Sequence, residues 1–133
     1  MALRAPVPPA KNRAARHGLA RGESRLVARH AGVDFAAGAR AILELAAQIE
    51  TIRTFTNPDK GITVNVGVIS GGTRTNVIAA QAEAHIDYRL PRLRDFTALD
   101  RKFRQLRPRD KRCRLELNGE LTIRDITKPI SLK

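Results

Sequence analysis

In Ile62-Thr63-Val64-Asn65-Val66-Gly67-Val68-Ile69-Ser70-Gly71-Gly72, aliphatic residues fall at every second position. Ile62, Val64, Val66 and Val68 alternate with Thr63, Asn65 and Gly67, the period of a half-buried strand over 62–70. Gly71-Gly72 breaks it. The stretch 81–90 repeats the pattern, with Ala82, Ala84, Ile86, Tyr88 and Leu90 on one face. Glu83, His85, Asp87 and Arg89 fall on the other. Two neighbouring strands, each with one apolar face, predict an antiparallel pair covered on one side only.

On either side of this pair the period changes to that of a helix. Over 35–53, Ala41, Ile42, Leu45, Ala46, Ile49 and Ile52 make one apolar stripe, and Asp34 is the expected N-cap. The run Asn57-Pro58-Asp59-Lys60-Gly61 supplies the following turn. Pro91 ends the second strand, Asp95 is the expected cap of a second helix, and Phe96, Leu99, Phe103 and Leu106 form its stripe. Arg107-Pro108 stops that helix. A last strand reads at 113–118 on the alternation of Cys113, Leu115 and Leu117. Leu121, Ile123 and a Pro129-interrupted segment add one more short strand. One further strand before residue 30 would complete βαββαβ, a ferredoxin-like α+β fold with an antiparallel sheet and two helices on one face. That first strand stays open, because only Leu26 and Ala28 alternate on one face while Val27 falls on the other. The expected division is a basic arm at 1–24, a domain at 25–118 and a β-prone tail at 119–133.

The chain has 133 residues, 42% of them hydrophobic and 29% charged, which suits one domain with a core and excludes a wholly disordered chain. The lone Cys113 excludes an internal disulfide framework and a multi-cysteine zinc site. No run approaches the roughly 20 apolar residues of a membrane-spanning helix, and the first 30 lack the apolar core of a secretory signal. The expectation is therefore a cytoplasmic protein with no membrane partner. Net charge is +12. Residues 1–30 carry seven basic side chains against Glu23, and 101–133 carry eleven against four acidic. Residues 31–100 carry seven basic and eight acidic, so the excess belongs to the ends. The basic run of 101–114 raises nucleic-acid binding as the alternative function. Aromatics are only 4%, with Phe96 and Phe103 on a core stripe, so stacking platforms are lacking and this alternative is not favoured.

Three ordered blocks carry a family resemblance. His30-Ala31-Gly32-Val33-Asp34 with Gly38-Ala39-Arg40-Ala41-Ile42-Leu43-Glu44-Leu45, then 63–78 with its Gly71-Gly72 and Asn76-Val77-Ile78, then Ala84-His85-Ile86-Asp87-Tyr88-Arg89, follow one another at family spacing. Together they resemble the peptidase dimerisation (lid) domain of the zinc-dependent glutamate carboxypeptidase, aminoacylase and desuccinylase metallopeptidase family. The resemblance implies a homodimer formed through a sheet edge and helix. It also implies metal-dependent hydrolysis of a C–N bond by a separate catalytic domain, here absent or on another chain. His30 matches the histidine that reaches into the partner's active site and helps hold the polarised carbonyl oxygen. Asn76 matches an asparagine that hydrogen-bonds substrate, and Arg89 the arginine that grips its carboxylate. From the residues alone, His30 fits a solvated position, Asn76 a turn, and Arg89 an exposed partner of Asp87.

The departures are as informative. The family's zinc ligands are His, Asp and Glu, and this chain has only His17, His30 and His85 with no such cluster. No zinc is therefore expected in this chain, and the module alone is expected to be inactive. Ala79 stands where the family usually has proline. Residues 117–132 instead resemble a hairpin of the lipocalin-like, polyisoprenoid-binding periplasmic family, with Asp125 in place of its glycine. A segment that short cannot enclose a lipid.

Overall fold

The computed structural model describes residues 20–30, 40–123 and 126–132, by backbone alone from residue 120 onward. The chain runs β1 (Ala20–His30), α1 (Ala41–Ile52), β2 (Thr63–Gly71), β3 (Gln81–Leu90), α2 (Leu93–Arg104), β4 (Cys113–Ile123) and β5 (Ile126–Leu132). One antiparallel sheet takes the order β2-β3-β1-β4-β5. Its first four strands and two helices are the expected ferredoxin-like βαββαβ unit. β5 extends that unit by one strand. β4 runs straight through the expected boundary at 118/119, and both strands belong to the same sheet.

β1 fills the interior position between β3 and β4, with unbroken register from Ala20 to Arg29 against both. It begins five residues before the boundary expected for the basic arm. Ala20, Gly22, Ser24, Leu26 and Ala28 share one face and are all buried. Arg21, Glu23, Arg25 and Arg29 share the other. The arginines sit in a central strand because each has an acidic diagonal neighbour on an adjoining strand, two positions from the residue directly opposite. Arg21 Nε donates to Asp87 at 3.0 Å, Arg29 Nε donates to Glu116 at 3.2 Å, and Arg25 pairs closely with Glu83. Each such half-exposed pair contributes roughly 0–1 kcal/mol. Val27, fully buried on this otherwise polar face, lies between Arg25 and Arg29 on β1 and opposite their partners Glu83 and Glu116.

The helices cover the opposite face. Leu45 and Ile52 of α1 and Leu99 and Phe103 of α2 meet Leu26, Ala84, Ile86, Tyr88 and Leu90 of the sheet. Phe103 stands edge-on to Phe55 at 5.2 Å between centroids and lies 6.0 Å from the Tyr88 ring. Tyr88 sits where β1 offers no side chain: a Cβ built on Gly22 would fall 1.9 Å from Tyr88 Cζ.

Locally, α1, α2 and β2 depart from the expected pattern. α1 begins at Ala41 with Arg40 as N-cap, and Asp34 lies outside the described residues. Ile42 and Ala46 of its predicted stripe are exposed, while Glu44 and Gln48 are buried. α2 is capped by Arg92, not Asp95; Asp95 is buried in the first turn, accepting from Arg92 Nε at 3.2 Å. In β2 the register slips between Val66 and Val68. The bulge at this point turns Val68 to the polar face opposite His85 and sets Ile69 opposite Ala84. Val68 is thus exposed, against the simple alternation.

Tyr88 is the chain's one tyrosine and there is no tryptophan, so its absorbance reports a single site. Burial pushes its phenol from 10.0 up to about 12, against the opposing influence of the Ser24 hydroxyl. A phenol with a raised folded-state pKa stabilises the fold fully below about pH 10, and that contribution is lost as pH climbs through the folded value. Tyrosinate absorbance should therefore titrate near 12 in the folded protein, and near 10 in strong denaturant. A folded midpoint near 10 would contradict the buried ring.

Candidate functional site

His30 is the last residue of β1, aligned with Cys113 of β4. Its backbone N–H donates to the Ala80 carbonyl at 3.1 Å, tying the end of β1 to the start of β3. Asn76 is exposed in the 72–80 connection that enters β3 at this same end. That connection turns at Gly72, whose φ of +83° is left-handed backbone suited to glycine. The Val77 N–H donates to Arg74 O at 3.2 Å within the turn. A shallow cavity of about 500 Å³ opens here, lined by Ser70, Gly72, Val77, Ile78, Gln81 and Glu83.

Arg89 is elsewhere. It lies near the far end of β3, opposite Arg21 on one side and Thr63 on the other. It lies eight residue steps along the strand from Gln81, roughly 27 Å at about 3.4 Å per residue. His30 and Asn76 thus share one end of the sheet, and Arg89 occupies the other. One copy of the chain cannot bring all three to one small ligand. Arg89 is half-exposed, donates to Asp87 at 3.5 Å, and rims a wide concavity of about 840 Å³ on the polar face. Arg25, Asn65, Val68 and His85 floor that concavity. The hydrogen bond from Arg25 holds the Glu83 carboxyl below the usual carboxylate range, so the acid beside His85 is ionised at neutral pH.

The His30 end is braced from behind. Glu44, 3% exposed, accepts from the Asp110 N–H at 2.7 Å and from Gln48 Nε2 at 2.7 Å. Gln48 Nε2 also donates to the Arg107 carbonyl at 2.9 Å. This polar pair on α1 clips down the 105–112 connection that leads into β4. Hydrogen bonds from the Arg112 side chain and backbone hold the Asp110 carboxyl below its ordinary value. Burial pushes the Cys113 thiol up, which disfavours the reactive thiolate. Sequence reasoning counted only apolar residues on α1 and so missed the clip; an i, i+4 Glu–Gln pair inside the stripe was its signal. Among the described residues no three His, Cys, Asp or Glu side chains converge on a point that could hold a metal ion.

The basic run offers no stacking surface. Arg104, Arg112 and Arg114 pair with Asp100, Asp110 and Glu116. Arg107 donates to the carbonyls of Arg104 and Leu106, and Lys102 lies over the Phe55 ring.

The fold is a two-layer α+β domain with two helices on one face of an antiparallel sheet whose outer strand β2 is open. The family model described as the peptidase dimerisation domain matches residues 15–111, most of the chain, and the chain belongs to that family. Solved structures agree in fold. A hydantoinase/carbamoylase family amidase from Burkholderia ambifaria superposes with a TM-score of 0.64 at 14% identity, over 85% of this chain and 30% of that one. A dinuclear metal-binding M20-family peptidase from Bacillus subtilis gives 0.56 at 16% identity, over 76% and 25%. Aminopeptidase PepT from Bacillus cereus gives 0.53 at 21% identity, over 77% and 31%. The chain therefore spans under a third of these proteins' lengths. Comparison with curated proteins returned no match. Neither the nucleic-acid alternative nor the lipocalin-like resemblance at 117–132 gains support; in the structure that segment is the β4–β5 hairpin of the same sheet.

Proposed function

We propose that this chain is the self-associating lid of a metal-dependent amidohydrolase or peptidase, acting as a homodimer joined along β2 and α1. The carrying observation is the character of β2. It is an outer strand of the sheet, and Thr63–Gly71 contains no charge and no proline. Outer strands that stay uncharged are templates for pairing with another chain. Around it the protein leaves large apolar side chains in water: Val68 and Ile69 are 58% and 63% exposed, and Ile42, Val77 and Ile78 are about half exposed. Ile42 reaches over Gly72, which joins the helix and strand into one surface.

Antiparallel pairing of β2 with its copy about a two-fold axis would be self-complementary. It would bring the Gly71 end of one strand beside the Thr63 end of the other. The His30–Asn76 end of one protomer then lies alongside the Arg89 end of its partner, giving two composite edges per dimer. This supports the roles that the family resemblance suggests, with His30 and Arg89 serving different chains. Arg89 would grip a substrate carboxylate through its guanidinium fork once Asp87 is displaced or shared. His30 would donate to an oxyanion in the partner's site. The zinc and the bond-breaking chemistry belong, in this reading, to a catalytic domain beyond these residues, and the setting is the cytoplasm. Among the described residues, no helix is long and apolar enough to cross a membrane.

Size-exclusion chromatography with light scattering at tens of micromolar tests the association. The expected mass is twice that of the chain. A strict monomer at that concentration would overturn the proposal.

A further inference from the structure

The sheet has two outer strands, and they differ in kind. A sheet open on both sides can add copies on both, and a head-to-tail contact that does not close makes filaments. β5 carries Lys128 and Pro129, whereas β2 carries neither charge nor proline. The position of Pro129 in the ladder is specific. Ile123 pairs with Ile126 across only two intervening residues, so that pair must exchange both backbone hydrogen bonds. Alternation then makes Leu121–Lys128 and Gly119–Ile130 inward-bonded pairs. Thr122–Thr127, Glu120–Pro129 and Asn118–Ser131 are the pairs between them, and their β5 members turn their backbone groups outward. Thr127, Pro129 and Ser131 are thus the three outward positions of β5. The middle one has no N–H to offer, and a ring carbon stands where the hydrogen would be.

We infer that β5 is a stop strand: it occupies the outer edge of β4 and presents an edge of its own that a second copy cannot extend. Self-association is thereby confined to β2 and ends at two chains. Only 113–116 of β4 run past the end of β5, and Arg114 and Glu116 charge that step. The inference rests on the dimer reading above for its biological meaning, but its physical claim concerns β5 alone.

The test uses the full chain in two backgrounds. In the wild type, Pro129→Val with Lys128→Thr should convert a dimer into species above dimer whose share rises with concentration in sedimentation velocity. In a chain whose β2 surface is blocked by Ile69→Asp and Ile42→Glu, the same pair of changes should create a new self-association at least about tenfold stronger than in the blocked parent. Pro129→Ala restores the N–H with minimal side chain and serves if the valine variant loses its fold. A blocked chain that stays as monomeric with an N–H at position 129 as without it would overturn the stop strand. A wild type that runs as a monomer would instead sink the lid reading, while the blocked background still decides this one.

Discussion

Ile69→Asp together with Ile42→Glu is expected to abolish dimerisation at micromolar concentration while leaving the monomer folded. Both side chains are largely in water in the isolated protomer, Ile69 63% and Ile42 46% exposed, so charging them removes little from the core. In a dimer joined at β2 both would be desolvated. Aliphatic anchors at an interface centre can cost about 2 kcal/mol or more each when lost, and a buried unpaired carboxylate costs more. Two changes repeated in two protomers should weaken association at least ~100-fold. The control is Leu93→Glu, which charges an apolar residue as exposed as Ile42 but on α2, outside the β2 and α1 elements. It should leave the dimer intact. Equal weakening by both variants would mean that the surface is not β2.

The second large effect concerns folding. Gly22→Ala should destabilise the protomer by about 3 kcal/mol or more, a large share of the 5–15 kcal/mol that holds a small domain together. The new methyl would stand 1.9 Å from Tyr88 Cζ and 2.1 Å from Cε2, and the ring has no free direction in which to retreat. Phe96 stacks on it at 6.5 Å and Phe103 flanks it at 6.0 Å. Tyr88→Leu alone loses ring packing and should also destabilise. Combined with Gly22→Ala, it should cost clearly less than the sum of the two, because the clash is then relieved. Urea midpoints followed by circular dichroism give all four corners of this cycle. Additive costs would show that Gly22 is not the floor under the ring.

Much of this fold is legible in the sequence, and the places where it is not share a physical cause. β3 reads cleanly because its two faces differ in polarity at every step from Gln81 to Leu90. β1 obeys the same period, yet its buried face is Ala20, Gly22, Ser24, Leu26 and Ala28, small residues that carry little hydropathy signal. Its other face holds arginines whose acidic partners lie about 60 to 90 positions away in the chain. Only the assembled sheet shows that these charges are paired, so the strand passes for a solvated arm. Glu44 is hidden for a similar reason: its hydrogen-bond donor is the backbone of Asp110, 66 residues on. The bulge in β2 depends on pairing geometry and leaves only Gly67 as a trace. The three residues marked by the family resemblance were legible as types, but their separation onto two ends of the sheet was not, since it follows from strand direction and register.

Amide hydrogen exchange along β2, measured at several protein concentrations, tests the central claim most directly. Pairing of β2 with its copy predicts that those Thr63–Gly71 amides not bonded to β3 become protected as concentration rises through the dimer range. Outward amides of β5 should exchange at the same rate throughout. Concentration-independent exchange in β2, or protection that develops in β5 instead, would contradict the account.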